Sequence, residues 1–130
     1  MDVRTGVTSV DLGAIVQAAT DYIESWLDGD AERMRRCLHP KLVKRSVERD
    51  PTTGEGDLDE LGAEWMVEAT RNGRGKRHAR EHEVMVLDAF RDIASVKVAS
   101  VPYVDYLHVA RFGEQWLIVN VLWEWRQGQA

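Results

Sequence analysis

Along the first third of the chain, apolar positions recur every three or four places. Leu12, Ile15, Val16, Ala19, Tyr22, Ile23, Trp26 and Leu27 fall on one face, so the spacing predicts a helix over residues 10–27. Asp28-Gly29 ends it, because glycine enters the left-handed cap without a Cβ clash. Asp30 suits the N-cap of a second, short helix that turns Ala31, Met34, Cys37 and Leu38 inward. Pro40 stops that helix and pushes His39 toward an extended backbone. The stretch RDPTTGEGD is rich in turn formers. Beyond it Leu58, Leu61, Trp65, Met66 and Ala69 return to helical spacing, predicting a third helix that ends at Asn72-Gly73. RNGRGKRHAREH then reads as a basic, glycine-broken loop.

Near residue 83 the period changes to two. Strands are predicted at about 83–90, 94–101, 103–112 and 116–126. Helices first and strands later signal an α+β fold with an antiparallel sheet covered on one face. In the last strand Leu117, Val119, Val121, Trp123 and Trp125 form a wholly apolar side, expected to face the helices. Trp116, Ile118, Asn120, Leu122 and Glu124 form a mixed side. That side is still too apolar for bare solvent, so a homodimer formed through it is expected.

Composition narrows the class. A chain of 130 residues is the size of one domain, 1–130, and 44% hydrophobic residues with five Trp fit a globular protein. A formal charge of −5 argues against a nucleic-acid or anionic-membrane surface. The basic clusters KLVKRSVERD and RNGRGKRHAR read as solvated faces, able at most to draw an anionic substrate to a pocket mouth. The one cysteine, Cys37, permits no internal disulfide, fits a reducing compartment, and lies in an apolar register. MDVRTGVTSVDLG lacks the apolar core of a leader and no apolar run approaches a membrane span, so a cytoplasmic protein is expected. His78 and His82 have a spacing that suits a metal on a helix, but they enter a strand without a third ligand, so no metal is expected.

The stretches GDAERM with LHPKLVKR, VLDAFRDIASVKV, YVDYLHVAR and WLIVNVLWE resemble the nuclear transport factor 2-like superfamily over residues 12–126. Within it the chain is similar to the group labelled putative lumazine-binding and close to polyketide-cyclase-like proteins. The resemblance implies a cone-like roll, a curved mixed or antiparallel sheet wrapped around three N-terminal helices. The fold hosts isomerases, dehydratases, cyclases and non-catalytic binding proteins, so it does not by itself give an activity.

Against the ketosteroid isomerase pattern of that superfamily, Tyr22 in YIESWLDGD matches the tyrosine before the GD turn. His108 in DYLHVARF stands where that pattern keeps a protonated aspartate, and Trp123 matches its pocket tryptophan. The pattern's general base belongs near Arg45-Ser46, where this chain has no carboxylate; Glu48 and Asp50 are out of register. Alternation puts Tyr106, His108 and Ala110 on one face of their strand and Tyr103, Asp105, Leu107 and Val109 on the other. The resemblance places His108 on the concave side, facing Tyr22 and Trp123, and the cyclase-like relatives bring His39 to the pocket mouth.

These residues define an expected site. Tyr22, His108 and His39 are the candidate polar or acid–base groups, and Trp26, Trp65, Met66, Tyr106 and Trp123 the ligand-contacting surfaces. The expected ligand is small, hydrophobic or aromatic, with a carbonyl or hydroxyl. No metal, flavin, nucleotide or other cofactor is required. An enzyme would work by proton transfer, as in isomerisation, dehydration or aldol-type cyclisation. The other class open to this sequence is a non-catalytic ligand carrier or dimeric interaction module.

Overall fold

The computed structural model describes residues 6–126. Residues 1–5, read above for a leader, lie outside the described residues.

Helix α1 (Ser9–Asp28) starts with a capping box: the Thr8 hydroxyl accepts from the Asp11 N–H, and the Asp11 carboxylate accepts from the Thr8 N–H. Gly29 closes it in the left-handed conformation, φ 72°. Its buried face carries Ile15, Ala19, Tyr22, Ile23, Trp26 and Leu27 as the spacing predicts, while Leu12 and Val16 sit at the edge and stay partly exposed. Helix α2 (Ala31–Cys37) is capped by the Asp30 side chain and buries Ala31, Met34 and Cys37.

The next two elements depart from the expectation. Leu38–Arg49 forms strand β1, and Gly56–Gly62 forms strand β2, its antiparallel hairpin partner with Val47 opposite Leu58. The connection is a turn in which the Asp50 carboxylate accepts from the N–H groups of Thr52 and Thr53. Leu58 and Leu61 therefore lie on a strand, and their helical spacing with Trp65 is a coincidence interrupted at Gly62. Helix α3 is the shorter Ala63–Arg71 and buries Met66, Val67, Ala69 and Thr70.

The four later strands lie close to where alternation predicts them: β3 (His82–Phe90), β4 (Ile93–Ser100), β5 (Tyr103–Phe112) and β6 (Gln115–Trp125). One six-stranded sheet results, ordered β2-β1-β6-β5-β4-β3. It is curved, unclosed and mixed, because β1 runs parallel to β6 while every other pair is antiparallel. All three helices pack against the concave face.

The facing of β6 changes midway. His108 pairs with Asn120 but Val109 pairs with Ile118, so Val119 is an extra, bulged residue. Before the bulge Trp116 and Ile118 point into the core; after it Val121, Trp123 and Trp125 do. The single apolar side expected from strict alternation is thus two half-sides joined by a bulge. No helix among the described residues is long and apolar enough to cross a membrane.

Candidate functional site

The chemistry gathers where α1, β1, β5 and β6 meet the concave face. Tyr22 and Trp26 are one helical turn apart on α1 and both point inward. From β5 the inward residues are Tyr103, Asp105, Leu107 and Val109, all buried. Asp105 is thus a carboxylate in an otherwise apolar row, with Trp123 opposite it on β6. From β1 the inward residues include Leu42, Lys44 and Ser46.

Three side chains form one hydrogen-bonded chain. The Lys44 ammonium donates to the Tyr22 hydroxyl at 2.6 Å, and that hydroxyl donates to Asp105 Oδ1 at 3.2 Å. Lys44 Nζ lies 3.8 Å from the same carboxylate oxygen. The ammonium is also flanked by the rings of Tyr22, Trp26 and Trp123, with centroids at 5.2, 5.7 and 5.4 Å. Lys44 has a side-chain exposure of 11% and Asp105 of 2%, so the pair is nearly dry.

Burial dominates the protonation equilibria here. It lifts the Asp105 carboxyl above the ordinary aspartate range, against the opposing pull of the Lys44 charge and the Tyr22 hydroxyl. It pushes the Lys44 ammonium below the ordinary lysine range, against the Asp105 charge. Burial, followed by the Asp105 charge, holds Tyr22 well above a free phenol, which keeps its proton in place. An ammonium has three N–H donors, and the bond to Tyr22 uses one.

Lys44 forms one wall of a cavity of about 140 Å3 lined by Trp26, Leu61, Trp65, Tyr103, Trp123 and Trp125. The rings brace each other: Trp26 Nε1 donates to the Tyr103 hydroxyl at 3.3 Å, and Tyr103, Trp123 and Trp125 pack edge-on or tilted at 4.8–5.3 Å. Arg74 and Arg77, from the basic loop after α3, complete the lining, with Arg74 over the Trp65 ring at 5.1 Å. His78 closes the loop onto Tyr103 and Trp125. The loop comes so close to α1 that a Cβ on Gly75 would lie 2.3 Å from the Trp26 carbonyl oxygen and 2.5 Å from its indole. The cavity is therefore lined by aromatic rings and three cations, Lys44, Arg74 and Arg77, and Lys44 connects it to the buried Tyr22 and Asp105 behind its wall.

The expected site residues divide. Tyr22 belongs to the hydrogen-bonded chain, and Trp26, Trp65 and Trp123 line the cavity. Met66 is a core residue, 1% exposed, and does not line the cavity. His108 does not face Tyr22 or Trp123, contrary to the expectation. It lies on the outer face of β5 with Tyr106, beside Asn120, whose Nδ2 is 3.4 Å from its Nδ1. The inward face of β5 is the one that carries Asp105. His39 also stands apart: its Nδ1 accepts the Lys41 N–H and its ring packs on Phe112, at the opposite end of β5 from Tyr103.

Lys44, Asp105, Tyr103, Trp125, Arg74 and Arg77 are the site residues that the sequence reading missed. Asp105 carried a readable signal, as a carboxylate in register with Tyr103, Leu107 and Val109. Lys44 carried none while β1 went unrecognised. Cys37 takes no part; its thiol donates to the Met34 carbonyl and burial pushes it up to about 12.

A family model described as putative lumazine-binding matches residues 11–124. Among solved structures, an NTF-2 like protein of unknown function from Silicibacter pomeroyi superposes with a TM-score of 0.72 at 18% identity, covering 92% of this chain and 99% of that one. A ketosteroid isomerase-like protein from Erwinia carotovora atroseptica gives 0.65 at 14% identity, covering 92% and 98%. A protein with a cystatin-like fold from Nostoc punctiforme gives 0.61 at 13% identity, covering 92% and 93%. These likenesses establish the nuclear transport factor 2-like cone fold. No curated protein matches the sequence.

Proposed function

Because the chain belongs to the family described as putative lumazine-binding, we propose that its cavity binds a planar molecule of one or two rings. That molecule carries a carbonyl or enol oxygen and an anionic substituent. The observation behind this reading is the Lys44–Tyr22–Asp105 chain, which meets an aromatic cavity through Lys44, with Arg74 and Arg77 also in the lining. Indole walls stack on a planar ring, Lys44 has N–H donors left for an oxygen, and the two guanidiniums suit a carboxylate or phosphate. Drug-sized ligands occupy roughly 300–1,000 Å3. A cavity of about 140 Å3 favours a smaller molecule and disfavours a sterol. Lumazine, with two fused rings and ring carbonyls, has the ring and carbonyl features of the class without its anionic substituent.

Proton transfer on the bound carbonyl is the chemistry Lys44 supports from the cavity wall, with Tyr22 and Asp105 behind it as its acid–base partners. The protein is further proposed to be a cytoplasmic homodimer joined through the outer face of the sheet. Partly exposed Met85, Tyr106 and Leu122 on that face, and the single buried Cys37, support this.

Quenching of tryptophan fluorescence by a panel of one- and two-ring carbonyl compounds, with and without a carboxylate, tests the ligand reading. Saturable quenching is expected, strongest for the carboxylates. Arg74→Ala with Arg77→Ala should weaken it about tenfold, whereas His108→Ala should leave it unchanged. Absence of quenching by every member, or its loss in His108→Ala, refutes the proposal.

A further inference from the structure

A buried lysine in contact with a phenol and a carboxylate has a use beyond holding a ligand oxygen. We propose that Lys44 is a nucleophile that condenses with an aldehyde or ketone in the aromatic cavity to form a covalent imine. Tyr22 and Asp105 would act as its proton relay. This rests on the ligand reading above and gives it a substrate class, a reactive carbonyl carbon rather than any oxygen-bearing ring.

The first requirement is an unprotonated amine. Lys44 Nζ reaches Asp105 through the Tyr22 hydroxyl, at 2.6 Å and then 3.2 Å. Passing one proton along that line converts ammonium and carboxylate into amine and carboxylic acid without help from solvent. In a nearly dry site, removing two charges from low dielectric lowers the cost of that transfer. The directions found for both groups, lysine down and aspartate up, agree with this.

The second requirement is a balanced path. The free amine attacks the carbonyl carbon and a C–N bond forms, while the C=O π pair moves to oxygen. That oxygen takes a proton from the Tyr22 hydroxyl, which Asp105 replenishes, and the attacking nitrogen loses one to the relay, leaving a carbinolamine. The nitrogen lone pair then expels the hydroxyl, which leaves as water with a second proton from the same line. Ammonium plus carbonyl equals iminium plus water, so no other reagent is needed.

The third requirement is a site that tolerates the product. An iminium keeps the positive charge of the ammonium at almost the same place. The three rings at 5.2–5.7 Å that surround Lys44 Nζ would stabilise it there. The other charged groups lining the cavity, Arg74 and Arg77, favour a carbonyl compound that carries an anion at its far end. Lys41 and Lys76 are exposed and lack the aromatic enclosure, so they serve as internal comparators.

The test treats the full chain at neutral pH with substoichiometric 4-carboxybenzaldehyde and sodium cyanoborohydride, then intact-mass and peptide mass spectrometry. The expected result is one adduct, heavier by the aldehyde less one oxygen atom, mapped to Lys44. Lys44→Arg should abolish the adduct, and quenching of the wild-type protein by 4-(hydroxymethyl)benzoate, which has the same ring and carboxylate but no carbonyl, reports binding independently of the imine. Tyr22→Phe should slow trapping by a hundredfold or more, the usual effect of losing general acid–base assistance. An adduct spread over Lys41, Lys76 and Lys97, or no Lys44 adduct in wild-type protein that binds the alcohol, overturns the imine and leaves the ligand reading intact. Failure of both compounds and of the whole ring panel to quench removes the two together.

Discussion

Asp105 and Lys44 set the residue-scale behaviour. Asp105 keeps a proton in the folded state at a pH where the unfolded chain has lost it, since its folded value lies above the ordinary 3.8. The native state therefore binds more protons in that window, and stability falls as pH rises from about 3.8 through the raised value. Lys44 has the opposite sign: its folded value lies below 10.5, so its contribution grows as pH rises from that lowered value up to 10.5. Asp105→Asn should flatten the acid-side fall, read as urea midpoints between pH 4 and pH 7. Lys44→Met removes the counter-charge that lowers Asp105, so the fall should extend to higher pH. Leaving one partner of a buried pair alone should also cost on the order of 3 kcal/mol near neutrality. A midpoint profile unchanged in both variants would contradict a buried ionisable pair.

At the scale of elements, the basic loop after α3 and helix α1 make separable predictions from two glycines. Gly75 abuts the Trp26 carbonyl and indole, so Gly75→Ala forces backbone or ring to move. It should cost about 2 kcal/mol, several degrees in Tm, and weaken ligand binding by displacing Arg74 and Arg77. Gly13 is exposed within α1, and a Cβ added there would meet nothing within 4 Å. Gly13→Ala should therefore stabilise by about 0.5–1 kcal/mol without touching ligand affinity. Calorimetry and quenching on both variants check the contrast. The elements themselves were unevenly legible. Helix α1 and strands β3 to β6 announce themselves through periods of 3.6 and 2, interrupted by bulges in β3 and β6. Strands β1 and β2 do not, because the inward row of β1 alternates Leu42 with Lys44 and Ser46, and Leu58, Leu61 and Trp65 imitate a helical stripe. Lys44, one of the polar residues that obscure β1, is the one that enters the site, and the Val119 bulge, which no pattern of two reveals, turns Trp116 and Ile118 inward on the same strand as Trp123 and Trp125. His108 was misplaced for a related reason: a family pattern outweighed the plain alternation that already put Asp105 with the core residues.

For the molecule as a whole, the sheet has two faces of different character. The concave face is filled by the three helices and the aromatic cavity. The outer face bears a row running across neighbouring strands, where Leu58 pairs with Val47, Leu122 with Arg45 and Tyr106, and Tyr106 with Lys97, itself opposite Met85. Leu58, Val47, Leu122, Tyr106 and Met85 are all 42–51% exposed, more apolar surface in one band than a solvated sheet face needs. Basic Arg45 and Lys97 flank the Leu122–Tyr106 pair, and Arg45 is already paired with Glu60 at 2.9 Å, so the centre of the band is apolar and one of its two cations is neutralised. Sedimentation velocity should show a dimer for the full chain and a monomer for Leu122→Arg, which places a further cation at the centre of the band. Because Leu122 points away from the cavity, the monomeric variant should keep the ring-compound quenching of the wild type within about twofold. A Leu122→Arg protein that remains dimeric would move the interface elsewhere. Loss of quenching together with dimer dissociation would mean that the outer face supports the site on the inner one.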